Sequence, residues 1–166
     1  MTIKDAVARA SEYLAEHPDE ARYRDDPARA TLTAGLRVRV SGARGESLET
    51  DMPAGIGGTG SRPSPGWYLR AATASCVASL VAIRAAATDV AIQGVEVVVD
   101  SESDDRGILG LDPDVPAGPL SARVEVRVAA HGVAPEVLDS LVAWAVGHCP
   151  ISDALARSVP VETRRI

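Results

Sequence analysis

SPGWYLRAATASCVASLVAIRAAA, residues 64–87, is the longest stretch of the sequence with the composition of a helix. Ser64 is a residue type preferred at helix N-caps, and Pro65 suits the first helical position, where its missing N–H would have no intrahelical partner. Alanine and leucine dominate the remainder, and both favour helix. The stretch therefore predicts a long helix over residues 64–87, with Cys76 at its middle.

An apolar stripe of this predicted helix contains Cys76. Its companions at helical spacing are Leu69, Ala72, Leu80 and Ile83. Because residues three and four positions apart share a helix face, we expect the Cys76 sulfur to face the core or a cleft within it, and not open solvent.

Strands and helices alternate around this segment. Apolar residues alternating with arginines, followed by turn residues, predict an N-terminal hairpin over residues 31–52. Valine-rich segments predict a buried strand over 95–101 and an alternating strand over 120–130. A second core helix is expected over 135–148, and an extra amphipathic helix over 1–22. This order predicts an α+β fold in a single domain, residues 1–166, and disfavours a doubly wound parallel sheet.

The second cysteine, Cys149, lies in GHCPISDAL, residues 147–155. Pro150 disfavours helical geometry in the residue before it, so the second core helix is expected to end at this corner. We expect Ser152 to cap a short helix in DALARS and the segment VPVET to close the chain as a strand.

Charge and composition exclude several classes of partner. The formal net charge of −6 argues against nucleic acid and anionic membranes, which both require a basic surface. The sequence has no uninterrupted apolar run of about 18 residues, and its charged N-terminus does not resemble a secretory signal, so we expect a cytoplasmic protein. It has no Phe, and a core of small aliphatic residues gains from being shared with a second copy, although composition does not establish a dimer.

A glycine-rich loop at residues 53–66 contains Gly55, Gly57 and Gly60 in the G-x-G-x-x-G pattern. A dinucleotide site requires a helix that opens directly on such glycines, whereas Pro63 and Pro65 delay the helix here. We therefore expect no bound cofactor and interpret the loop as a flexible flap or a tight crossing.

Two interpretations of the cysteines remain open. Free cysteines pack as small hydrophobes in reducing compartments, so both could be structural. Alternatively they form a redox pair, in which one thiolate attacks a peroxide or disulfide and the second thiol resolves the product. A metal site built from Cys76, His148 and Cys149 is disfavoured, because adjacent His and Cys side chains point apart and no fourth ligand is apparent, and we expect no metal.

SPGWYLRAATASC and GHCPISDAL, together with DDRGILG after a valine-rich strand, resemble the OsmC/Ohr family of osmotically inducible and organic hydroperoxide resistance proteins. The resemblance extends from about Thr31 to the C-terminus. It implies antiparallel sheets around two long central helices in an intertwined homodimer. It also implies a thiol peroxidase that reduces organic hydroperoxides in oxidative stress defence, with a thiol reductant as its second partner.

The same resemblance implies roles for particular residues. Cys76 becomes the peroxidatic thiol and Cys149 the resolving thiol. An arginine of the N-terminal hairpin supplies positive charge to the first thiol, and Arg37 is the nearest match, with Arg39 next. The family has a glutamate after the proline that opens the helix, where this chain has Gly66. A non-catalytic dimer that binds an apolar small molecule is therefore the competing hypothesis.

Overall fold

Helices and antiparallel strands alternate along the structure, a computed structural model that describes residues 1–165. The chain forms two compact units, which we call the sheet unit, residues 9–69, and the core unit, residues 1–8 with 70–165. The N-terminal helix α1 is confirmed at Ile3–Glu16. The single domain over residues 1–166 stays a prediction.

The sheet unit contains three antiparallel strands in the order β1-β2-β3. They cover Arg29–Ala34, Arg37–Ser41 and Ser47–Thr50. The predicted hairpin corresponds to β2 and β3, but its first strand is shorter than expected because the chain reverses at Gly35. Gly35 has φ 55°, a left-handed conformation that glycine adopts without a Cβ clash, and the residues before it form β1.

The core unit packs one strand pair against its helices. Strand β4, Gly94–Glu102, pairs antiparallel with β5, Ser121–Ala129. Valines alternate inward along both strands and contact a cluster that consists of Val77, Val81, Ala145 and Cys149. The prediction of a buried strand over 95–101 is confirmed for one face of β4 only, because every second residue is exposed, including Val98. The alternation predicted for β5 is confirmed.

Helix α2, Pro65–Ala87, has the predicted bounds. The Ser64 hydroxyl accepts a hydrogen bond from the Trp67 N–H at 3.2 Å, which confirms the predicted cap. Its most buried residues are Thr73, Val77, Val81 and Ala85. The buried face is therefore rotated by one residue, about 100°, from the predicted stripe, so Cys76 lies beside the centre of the core.

The short helix α3, Asp105–Ile108, lies in the connection between β4 and β5. Helix α4 covers Pro135–Gly147 and confirms the second core helix. Helix α5, Pro150–Ala156, begins earlier than predicted, because Cys149 and not Ser152 occupies the N-cap. The predicted closing strand is wrong, since residues 159–163 form no regular structure.

By length and composition, α2 is also long and apolar enough to cross a membrane. A single helix of this kind is weak evidence, because the core helices of soluble proteins have the same properties. The cytoplasmic location stays a prediction.

Candidate thiol site

Cys149 lies at the junction of α4 and α5. Its side chain is fully buried, and its sulfur accepts a hydrogen bond from the Ser152 N–H at 3.4 Å. The junction forms because α4 ends at Gly147 and Pro150 opens α5 with an extended residue before it. The cysteine that precedes the proline is thereby placed at a helix N-cap.

Cys76 of α2 meets Cys149 in the core unit. It is partly buried and packs against the cluster that contains Cys149, and the two thiols lie close enough to affect each other's ionisation. Both cysteines are free thiols. The structure thus brings together the two cysteines that the sequence singled out.

The two thiols have opposite tendencies to ionise. Burial raises the pKa of Cys76, and the neighbouring Cys149 thiol, through its polarity and its negative charge, raises it further. Burial also acts to raise the pKa of Cys149, but the hydroxyl dipole and N–H of Ser152 and the thiol of Cys76 outweigh it, so this pKa is lowered. The Ser152 hydroxyl is buried and lacks a partner of good hydrogen-bond geometry in residues 1–165, which leaves its dipole available to the sulfur.

Other charged groups of the core unit have partners of their own. The ring of His148 stacks on Trp144 with centroids 4.2 Å apart, and its Nδ1 lies 2.7 Å from the Trp144 carbonyl oxygen. The Arg84 guanidinium lies over the Trp144 ring, 5.1 Å from the ring centroid. Arg70 donates a hydrogen bond to the Ser101 hydroxyl at 3.2 Å. Trp144 is partly buried and packs against the core cluster.

Arg37, the predicted cation, lies on β2 of the sheet unit. Its Nη2 donates to the Ser61 hydroxyl at 3.0 Å, and its buried Nε has no hydrogen-bond partner within the described chain. Arg39, the second choice, lies 3.6 Å from the Glu49 carboxylate. That Arg37 serves Cys76 stays a prediction.

Asp51 follows β3 and is 2% exposed. It accepts hydrogen bonds from the N–H groups of Met52, Thr59 and Ser61, and from the hydroxyls of Thr59, at 2.5 Å, and Ser61, at 3.0 Å. These bonds, that of the Thr59 hydroxyl foremost, hold the pKa of Asp51 far below its usual range despite burial. Nothing in the sequence singles out Ser61, although hydroxyls on both sides of Gly60 are a signal of side-chain hydrogen bonding in a loop.

Other acids and aromatics near this loop have separate partners. Glu49 forms an ion pair with Arg62 at 2.9 Å, which lowers its pKa. The hydroxyl of Tyr68 donates to the Glu49 carbonyl at 3.2 Å, while Trp67 is 48% exposed. Asp51 is joined to Arg37 through a single side chain, that of Ser61.

Comparison with known structures shows the fold. An organic hydroperoxide resistance protein OsmC from Legionella pneumophila is 21% identical, with TM-score 0.60, over 81% of this chain and 90% of that one. An organic hydroperoxide resistance protein from Elizabethkingia anophelis is 19% identical, with TM-score 0.62, over 82% and 91%. An OsmC-like protein from Mycoplasma pneumoniae is 12% identical, with TM-score 0.69, over 82% and 91%.

A search of curated proteins found no match. The sequence profile described as OsmC-like protein matches residues 58–164, which contain both cysteines and most of the core unit. These residues make up more than half of the chain. The chain therefore belongs to the OsmC-like protein family.

Proposed function

We propose that this chain is a thiol peroxidase that reduces organic hydroperoxides in defence against oxidative stress. The observation that supports the proposal most is that Cys76 packs against the cluster that contains Cys149, so that two thiols from distant parts of the sequence lie together. Two neighbouring thiols are what peroxide reduction followed by disulfide formation requires. Solved structures with the same fold are named organic hydroperoxide resistance proteins.

In the proposed reaction, the Cys76 thiolate attacks the terminal oxygen of the hydroperoxide ROOH. The O–O bond breaks, Cys76 becomes a sulfenic acid, and the alkoxide leaves as ROH after taking a proton. The Cys149 sulfur then attacks the Cys76 sulfur, a disulfide forms, and water leaves. A dithiol reductant restores both thiols by exchange and is itself oxidised to a disulfide.

Ionisation of Cys76 is the step that needs assistance. Burial and the Cys149 sulfur both raise the pKa of Cys76, so a nearby positive charge is required for attack at neutral pH. We assign this role to Arg37, whose buried Nε–H has no partner within residues 1–165 and is therefore a donor without an acceptor. No metal or bound cofactor enters the proposed reaction.

The test is consumption of tert-butyl hydroperoxide by the purified protein with dithiothreitol as the dithiol. We expect Cys76→Ser to abolish turnover. When dithiothreitol is left out, Cys149→Ser is expected to complete one reaction and retain a sulfenic acid on Cys76, which dimedone labels and mass spectrometry detects. Ser75→Ala, an exposed position on the same helix, is the matched control and is expected to turn over like the wild type. Absence of turnover with both tert-butyl hydroperoxide and hydrogen peroxide contradicts the proposal.

A second candidate is a non-catalytic protein that binds an apolar small molecule with both thiols as packing. Gly66 in place of the family glutamate and the raised pKa of Cys76 favour it. In that case neither cysteine variant changes the fate of a hydroperoxide, and Cys76→Ala and Cys149→Ala affect stability alone.

We also propose that the protein is a homodimer. Its buried hydrophobic residues number six in the described chain, few for this length, while Leu32, Trp67 and Val98 are each about half exposed or more. A second copy would cover such surface. Light scattering coupled to size-exclusion chromatography gives the mass in solution, and a monomer at micromolar concentration contradicts this part of the proposal.

A further inference from the structure

We propose that Ser61 and Asp51 are positioning residues that orient the Arg37 guanidinium through the Ser61 hydroxyl, where the family uses a glutamate that this chain lacks. The inference rests on the proposed function, in which Arg37 acts on the reacting thiol. It adds Ser61, in the glycine-rich loop, and Asp51, directly after β3, to the proposed machinery.

The direction of each hydrogen bond follows from the chemistry of the groups. A guanidinium has donors only, and an ionised carboxylate has acceptors only. The Ser61 hydroxyl therefore accepts from Arg37 Nη2 at 3.0 Å and donates its own proton to Asp51 Oδ2 at 3.0 Å. A single hydroxyl connects the cation to the carboxylate, and its one proton leaves no alternative orientation.

The Asp51 end of this connection is rigid. Its carboxylate is buried and accepts five hydrogen bonds, four of them from Thr59 and Ser61. The Ser61 N–H donates to the same carboxylate as the Ser61 hydroxyl, so both the backbone and the side chain of Ser61 are fixed. A hydroxyl fixed in this way gives Arg37 one defined hydrogen-bond direction.

The Arg39–Glu49 pair on the same two strands is an example of direct contact between an arginine and a carboxylate. Arg39 lies opposite Glu49 in the β2–β3 register, and the two side chains form an ion pair at 3.6 Å. Extending that register by one pair of positions sets Arg37 opposite Asp51. Asp51, however, directs its oxygens to the loop, and Arg37 reaches it through Ser61.

This indirect contact has a chemical consequence. Because its hydrogen-bond partner is a neutral hydroxyl, Arg37 is less neutralised than Arg39, which faces a carboxylate directly. Its buried Nε–H stays unpaired within residues 1–165. Buried donors of native structures are nearly always satisfied, so this one points to an anionic or oxygen-bearing acceptor, the chemistry of a thiolate or a hydroperoxide.

The experiment compares Ser61→Ala with Ser61→Thr, which keeps a hydroxyl. Ser41→Ala is the matched control, since Ser41 is an exposed serine on the strand that carries Arg37. The first measurement is the pKa of Cys76 in a Cys149→Ala background, from the pH dependence of alkylation by iodoacetamide. The second is kcat/KM for tert-butyl hydroperoxide with both cysteines present. Denaturation in urea establishes that each variant is folded.

We expect Ser61→Ala to raise the pKa of Cys76 and to lower kcat/KM by about 10- to 100-fold, as a displaced charged group would. Ser61→Thr is expected to bring the pKa of Cys76 and kcat/KM most of the way back to the wild-type values. Arg37→Ala is expected to change both quantities at least as much as Ser61→Ala does. Should Ser61→Ala fail to fold, Ser61→Gly replaces it, since it also removes the hydroxyl and adds no second thiol to the alkylation measurement.

The two measurements separate this inference from the proposed function. If the wild type turns over no hydroperoxide, the proposed function fails, and the pKa of Cys76 still decides whether Ser61 orients a cation that acts on this thiol. The inference is overturned if Arg37→Ala leaves that pKa unchanged. It is equally overturned if Arg37→Ala changes the pKa and Ser61→Ala does not.

Discussion

Cys76 packs against the cluster that contains Cys149, and the two residues shift each other's pKa in opposite directions. Cys149 also accepts a hydrogen bond from the Ser152 N–H at the start of α5, which favours its thiolate. In the structure the reduced pair thus holds its negative charge more readily on Cys149. Attack by Cys76 requires that Cys76, and not Cys149, is the ionised thiol.

We first predict that Cys149→Ala lowers the pKa of Cys76. The substitution removes the sulfur through which Cys149 raises this pKa, while the burial that contributes most remains. The pKa should therefore fall without returning fully to that of an exposed thiol. The pH dependence of the alkylation rate of Cys76 measures the change.

Cys76→Ala provides the reciprocal measurement. It removes a donor that lowers the pKa of Cys149, so the Cys149 pKa is expected to rise. Ultraviolet absorbance of the thiolate reports it without a reagent having to reach the fully buried sulfur. If neither variant changes the pKa of the remaining thiol, the two sulfurs do not interact in solution.

A second prediction concerns the core under the thiol pair. Val77→Ala removes two buried methyl groups from a fully buried position of α2, and we expect a loss of about 2 kcal/mol in the free energy of unfolding. Val98→Ala is the matched control, because Val98 is 51% exposed on β4, and its effect should stay within about 0.5 kcal/mol. Urea denaturation measures both, and equal losses would contradict the packing of this core.

Long elements with strong local signals were predictable from the sequence. Helix α2 has a serine cap and a proline at its first position, and both of its ends match the prediction. The reversal at Gly35 was not predictable, because a glycine between apolar residues is compatible with a continuous strand. The orientation of α2 was missed by one residue, since in a helix of alanine and valine several faces are apolar and tertiary packing selects among them.

A third prediction compares two glycines of the loop over residues 53–66. A Cβ on Gly58 would collide with the Met52 carbonyl, whereas one on Gly55 would meet nothing within 4 Å. Gly58→Ala should therefore displace the loop and destabilise the protein, and Gly55→Ala should leave stability within about 0.5 kcal/mol of the wild type. Thermal denaturation compares them, and equal stabilities would show that the loop does not cross the Met52 backbone closely.

For the candidate site, sequence reasoning found the groups that have distinctive chemistry and missed those that act through geometry. The meeting of Cys76 and Cys149 followed from two rare residues on predicted core helices. The contact of Ser61 with Arg37 did not, because serines are common in loops and the direction of a hydroxyl depends on the folded backbone. For the same reason Ser152 was expected at a cap that Cys149 occupies.

A fourth prediction follows from the lowered pKa of Asp51. Hydrogen bonds to the ionised carboxylate stabilise the fold above the pKa of an unfolded aspartate, about 3.9, and this contribution is lost as the pH falls toward the lower folded pKa. Asp51→Asn should therefore be less stable than the wild type at neutral pH, and the difference should shrink below about pH 4. Urea denaturation across this range tests it, with Asp25→Asn, an exposed aspartate, as the control. A difference that does not change with pH would mean that the Asp51 charge contributes nothing to holding Thr59 and Ser61.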